Sequence, residues 1–68
     1  MNPVFKDLVK NARYAIGSKS DNLVYETYGA AKMARKLDAI SKAEFMELNT
    51  MLVKDYLNNP EARREVSK

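Results

Sequence analysis

The chain has 68 residues and a net charge of +3, from 12 Lys and Arg against 9 Asp and Glu. It has no Cys, which excludes disulfides and thiolate metal sites, and no His, which removes the commonest zinc and iron ligand. A chain of this length forms at most one domain and buries only about 60% of its unfolded surface. We therefore expect self-association or tight helix packing to supply the rest of its stability.

The first predicted helix covers about residues 3–16. Asn2 is a suitable N-cap, and Pro3 fits the first helical position. Gly17 is predicted to be the left-handed residue that ends the helix. Lys6, Lys10, Arg13 and Tyr14 fall on the polar side. The apolar side consists of Val4, Phe5, Leu8, Val9, Ala12, Ala15 and Ile16, which recur at helical spacing.

The second predicted helix covers about residues 19–37. Ser18-Lys19-Ser20-Asp21 matches a capping box, and Ser20 or Asp21 would serve as the cap nearly as well. Gly29 lowers helix propensity, so it either permits close approach of a neighbouring backbone or is simply tolerated. The apolar side is Leu23, Val24, Ala30, Ala31, Ala34 and Leu37, with Met33 at its edge.

The third predicted helix covers about residues 42–57 and has the strongest start signal. Ser41 and Glu44 form a capping box, flanked by Ile40 and Phe45 as a hydrophobic staple. A short turn over 38–40 then makes an αα-hairpin, and Asn58-Asn59-Pro60 ends the helix. We expect residues 1–58 to form a single helical domain, and 59–68 to form a short charged C-terminal tail or an extra helical turn.

These elements predict an all-α protein, a small three-helix bundle. The alternation typical of a strand appears nowhere over four or more residues. The segment MNPVFKDLVK carries charges where a signal peptide would be apolar, and the longest run of large apolar residues is 51–53. We expect a cytoplasmic protein with no membrane span.

The third helix is apolar around more of its circumference than one packed side requires. One stripe consists of Phe45, Leu48, Leu52 and Tyr56. The other large apolar residues, Met46, Met51, Val53 and Leu57, widen the apolar arc to about 240° on an α-helical wheel. We predict a protein interface there, in a homodimer or against a larger protein, formed by Met46, Met51, Val53 and Leu57. Alternatively, the helix sits deep between the other two, with the tail over its outer side.

A basic side on the second helix indicates a different function. Nucleic acid or an acidic partner would contact Tyr25, Tyr28, Lys32, Arg35 and Lys36, joined by Lys6, Lys10 and Arg13 of the first helix. The alternative is a solvated lysine side with tyrosines lying along the bundle.

The segment KLDAISKAEFMEL, residues 36–48, resembles short helical hairpins of small bacterial and phage proteins that carry an Ile-Ser/Thr-x-x-Glu-aromatic turn. The resemblance reflects cap chemistry, and it implies a bacterial or mobile-element accessory protein that binds a larger protein. The same segment is a poor helix-turn-helix, because Asp38 stands where Gly is preferred. Glu44 and Glu47 would also face the DNA phosphates.

Nothing in the sequence indicates an enzyme. General acid–base chemistry lacks His, the carboxylates are scattered, and Gly17 and Gly29 are too isolated for a phosphate loop. We also expect too little volume for a pocket of several hundred Å3. We therefore predict no catalytic residue, cofactor, metal or small-molecule substrate.

Overall fold

The computed structural model describes residues 2–63, which form four helices in a small all-α bundle. Helix α1 covers Pro3–Gly17, α2 covers Asp21–Lys36 and α3 covers Lys42–Asn49. Helix α3 continues without a break into a π-helical segment, Thr50–Leu57, and a short α4 follows at Pro60–Arg63. We call α3 together with the π segment the third helix. The predicted fold class is confirmed, and the three predicted helices differ from these bounds by at most two residues.

Two side-chain hydrogen bonds between distant residues define how the helices run. The amide nitrogen Nδ2 of Asn2 donates to the Ala39 carbonyl oxygen at 2.6 Å, which places the start of α1 beside the α2–α3 turn. The Tyr56 hydroxyl donates to a carboxylate oxygen of Asp21 at 3.1 Å, which places the end of the third helix beside the start of α2. The third helix therefore runs antiparallel to α2 and parallel to α1.

The connection between α1 and α2 differs from the predicted one. Gly17 is helical, and Lys19 takes the left-handed conformation instead, with φ of 55°. The Lys19 and Ser20 N–H groups donate back to the Ile16 and Ala15 carbonyls at 3.0 and 3.3 Å, which is a Schellman motif. Because Ser18 is the C-cap of α1 and Lys19 is left-handed, the predicted Ser18 capping box is wrong, and the alternative Ser20 is the N-cap of α2.

The α2–α3 connection repeats the same geometry. Asp38 has φ of 61°, and the Ala39 N–H donates to the Ala34 carbonyl at 2.7 Å. Aspartate is among the few non-glycine residues that adopt this conformation readily, which explains why the position needs no Gly. The predicted capping box is present, because the Ser41 and Glu44 side chains each accept a hydrogen bond from the other's backbone N–H.

The core follows the predicted apolar sides with a few exceptions. Leu37, the C-cap of α2, is 70% exposed, and Val4 is 41% exposed at the start of α1. Thr27 is buried although it is polar, because its hydroxyl donates to the Leu23 carbonyl at 2.8 Å. The buried apolar residues are Phe5, Leu8, Ala12, Ala15, Val24, Ala31, Ala34, Ile40, Leu48, Leu52 and Tyr56.

The π-helical segment aligns the core residues of the third helix. In an α-helix a step of four residues overshoots a full turn by about 40°, so three residues spaced by four drift by about 80°. A π turn closes its hydrogen bonds over five residues, as in the 2.7 Å bond from the Asn58 N–H to the Val53 carbonyl, and it is therefore wider. Leu48, Leu52 and Tyr56 all reach the core with none of their surface exposed.

The chain continues past the third helix into the extra helical turn that the sequence offered as an alternative. The Asn59 side chain accepts hydrogen bonds from the Glu61 and Ala62 N–H groups, with Pro60 at the first helical position. Ala62 packs against the core. The rest of the predicted charged tail, 64–68, lies outside the described residues, as does residue 1. None of the helices in the described part combines the length and apolar composition needed to cross a bilayer.

Gly29→Ala is expected to stabilise the protein. The idea that Gly29 admits a neighbouring backbone is wrong, since a Cβ atom there would meet nothing within 4 Å and the residue is exposed in the interior of α2. The gain in helix propensity should raise the free energy of unfolding by about 0.5–1 kcal/mol, measured by urea titration. Gly17→Ala, at the last residue of α1, is the control and should gain less. A loss of stability in Gly29→Ala would contradict this account.

Candidate interaction surfaces

The third helix carries the four residues predicted to form a protein interface. Met46 is 57% exposed, whereas Met51, Val53 and Leu57 are partly buried and pack against the core. Met46, Val53 and Leu57 lie on the same side of the third helix, and the wider π turns bring Val53 and Leu57 closer to the core than Met46. Met51 lies on the opposite flank, where it lines a groove beside α1. The structure therefore divides the predicted interface between two surfaces.

Local contacts fix the rotation of the third helix and so the direction of Met46. The capping box sets the first turn, and the Phe45 ring then stacks on Tyr28 of α2 with 6.2 Å between the ring centroids. The next residue along an α-helix is turned by about 100°. With Phe45 held against α2, Met46 is directed away from the core and into solvent.

A groove of about 810 Å3 lies between α1 and the third helix. Three large apolar residues line it, Phe5 and Val9 of α1 and Met51 of the third helix, and we call them the floor of the groove. The remaining lining residues are Pro3, Lys6, Asp7, Lys10, Arg13 and Glu47. This space is an open groove and not an enclosed pocket, so the expected lack of a ligand pocket of several hundred Å3 stays a prediction.

The predicted basic side of α2 is partly engaged by the protein itself. The Lys32 ammonium lies over the Tyr28 ring, 5.1 Å from its centroid, while that ring stacks on Phe45. Arg35 pairs with Asp38 at 2.8 Å. Tyr25 is 57% exposed and Lys36 is exposed, so these two residues keep their side chains open to solvent.

The basic residues of α1 and α2 do not form one continuous surface. Lys6, Lys10 and Arg13 line the groove that contains Met51. Lys32 instead lies over Tyr28, which stacks on Phe45 on the α2 side of the third helix, whereas Met51 lies on the α1 side. The two groups therefore lie on opposite flanks of the third helix, which separates the patch that the sequence analysis had joined.

The acidic residues of the described part do not gather into a metal site. No group of three or more acidic side chains within residues 2–63 is placed to hold a metal ion. The surfaces described above offer apolar contacts and cationic side chains, which are features of surfaces that bind other molecules.

Comparison with known proteins gives a plain result. No family model, curated protein or solved structure matches this chain. The surfaces described above therefore carry the functional argument.

The sequence analysis missed the groove, because it assigned each helix a single apolar side and a single polar side. Val9 and Met51 were placed in the core and in an interface, respectively, and Lys6 and Lys10 were grouped with α2. The signal was present in α1, where cations at 6, 10 and 13 follow one edge of the apolar side. Recognising it required knowing that the third helix lies parallel to α1.

Proposed function

We propose that this protein is a non-enzymatic interaction module that self-associates through its third helix. The observation that supports it is the exposure of Met46, a large apolar side chain 57% open to solvent on the flank that also carries Val53 and Leu57. A large exposed apolar side chain beside two partly buried ones gives a partner apolar surface to cover, and Met adapts well to a partner's shape. A homodimer would cover this flank and supply burial that a 68-residue chain lacks. We further propose a cytoplasmic setting, as the sequence analysis predicts, and an accessory role beside larger proteins, as the hairpin resemblance implies.

Met46→Asp is expected to convert a dimer into a monomer. Light scattering after size exclusion at high concentration should give the wild type twice the 7.8 kDa mass of one chain. The charge would have to be buried at the interface, while the urea midpoint of the monomer should hardly change because Met46 is mostly exposed. Val53→Asp is a poorer probe, because Val53 also packs against the core.

Met33→Asp is the matched control, since Met33 is 54% exposed but belongs to α2. This variant should keep the dimer mass. A wild-type protein that stays monomeric at high concentration would contradict the proposal. Equal disruption by Met33→Asp would also contradict it, since the effect would then not be specific to the third helix.

A second candidate function is non-specific nucleic-acid binding through the basic residues. The exposure of Tyr25, Lys32 and Lys36 supports it, because cations beside an aromatic ring bind phosphates and stack bases. The engagement of Tyr28 with Phe45 and of Arg35 with Asp38 weakens it.

Lys32→Glu with Lys36→Glu tests this second function in a gel shift at low salt. Loss of two phosphate contacts, with two acids in their place, should abolish retention of a labelled single strand. Lys42→Glu with Lys54→Glu is the charge-matched control on the third helix and should bind as the wild type does. Unchanged retention in the first variant would remove this candidate.

A further inference from the structure

We propose that the groove between α1 and the third helix binds an amphipathic helix of a partner protein, with acidic residues along the flank that faces α1. This proposal does not rest on self-association, which uses the opposite flank of the third helix. It names a different surface, a different occupant and a different set of residues.

The shape of the groove suits a helix. Its lining extends along α1 from Pro3 to Arg13, ten residue steps or about 15 Å of helix axis. An amphipathic helix anchors through residues at i, i+3 or i+4, and i+7, a span of about 10 Å. Val9 and Met51 are partly exposed on the floor, so they offer apolar contact to such anchors.

The charges of the groove specify the partner further. The α1 side of the groove carries three exposed cations, Lys6, Lys10 and Arg13. Their spacing keeps them on one edge of the helix. None of them forms an ion pair in the described part of the chain, where the single pair is Arg35 with Asp38. Three unpaired cations beside an apolar floor favour carboxylates on the adjoining flank of the bound helix.

The other side of the groove, formed by the third helix, is negatively charged. Glu47 of the third helix borders the groove there. A helix lying in the groove would therefore place acidic residues toward α1 and a basic residue toward Glu47. The charges on the two sides of the groove therefore set the charge of each flank of the partner helix and its rotation about its own axis.

The same features disfavour nucleic acid as the occupant. Glu47 borders the groove on the side of the third helix, where it would repel a phosphate backbone but would pair with a basic residue of a partner helix. Base stacking needs an accessible ring, but the aromatic residue of the floor, Phe5, is only 8% exposed. An apolar floor without an open ring matches aliphatic helix anchors better than bases.

A display library of amphipathic helices tests the proposal. Each member has about five turns, a fixed Leu and Met stripe, and Glu, Lys or Gln randomised along both flanks. Selection on the wild-type protein should enrich Glu on one flank and Lys on the other. Selection on Lys6→Glu with Lys10→Glu should reverse the preference on the first flank only, because the Glu47 side of the groove is unchanged.

A peptide enriched on the wild type then gives the affinities by fluorescence anisotropy. Lys6→Glu with Lys10→Glu should weaken its binding about tenfold or more, and added salt should weaken the wild-type complex. Lys32→Glu with Lys36→Glu, of equal charge change, should stay within about twofold of the wild type. Circular dichroism verifies folding, and Lys10→Gln replaces the double variant if that variant does not fold.

Four results would overturn the proposal. One is the absence of any charge preference on the peptide flanks, and another is equal binding by the wild type and the α1 variant. A labelled single-stranded oligonucleotide that competes with the peptide and loses binding in the same variant would make the groove a nucleic-acid surface. Dissociation of a dimer by Lys6→Glu with Lys10→Glu would make it an interface between two copies of this chain.

Discussion

The structure depends on the complete burial of one column of side chains, Leu48, Leu52 and Tyr56, along the third helix. A chain with no disulfide and no thiolate or imidazole metal ligand has little besides apolar burial to oppose conformational entropy. The wide turn of the π segment keeps the three residues in line, and the Tyr56 hydroxyl meets Asp21 at the far end of the bundle. The column thereby joins the end of the third helix to the beginning of α2, 35 residues earlier in the chain.

The surfaces follow from this column. Because it faces the core, the residues on either side of it fall on two flanks, one with Met46 exposed and one with Met51 beside α1. The stack of Phe45 on Tyr28 closes the third helix against α2, whereas the α1 side is left as a groove. One helix thus borders both the flank proposed for a second copy and the groove proposed for a different partner. The two proposals can therefore fail separately.

The sequence predicted well whatever is determined by local chemistry. The capping box at Ser41, the N-cap at Asn2 and the all-α class follow from residues close together in the chain. Predictions that depended on backbone conformation over more than one helical turn were less accurate. Gly17 is predicted to be left-handed, but Lys19 takes that conformation. A helical wheel at 100° per residue also does not describe the π turns after Asn49. The groove could not be predicted because it depends on which helices are parallel neighbours.

The most direct test of this account compares the free energies of unfolding of Leu52→Ala and Met46→Ala by urea titration, at concentrations low enough to keep the chain monomeric. Leu52 is fully buried, so its truncation should cost about 2–5 kcal/mol or abolish cooperative unfolding. Met46 is mostly exposed, so its truncation should change stability by no more than about 0.5 kcal/mol. Similar losses in the two variants would mean that the third helix is rotated relative to this structure, and both proposed surfaces would then be wrong.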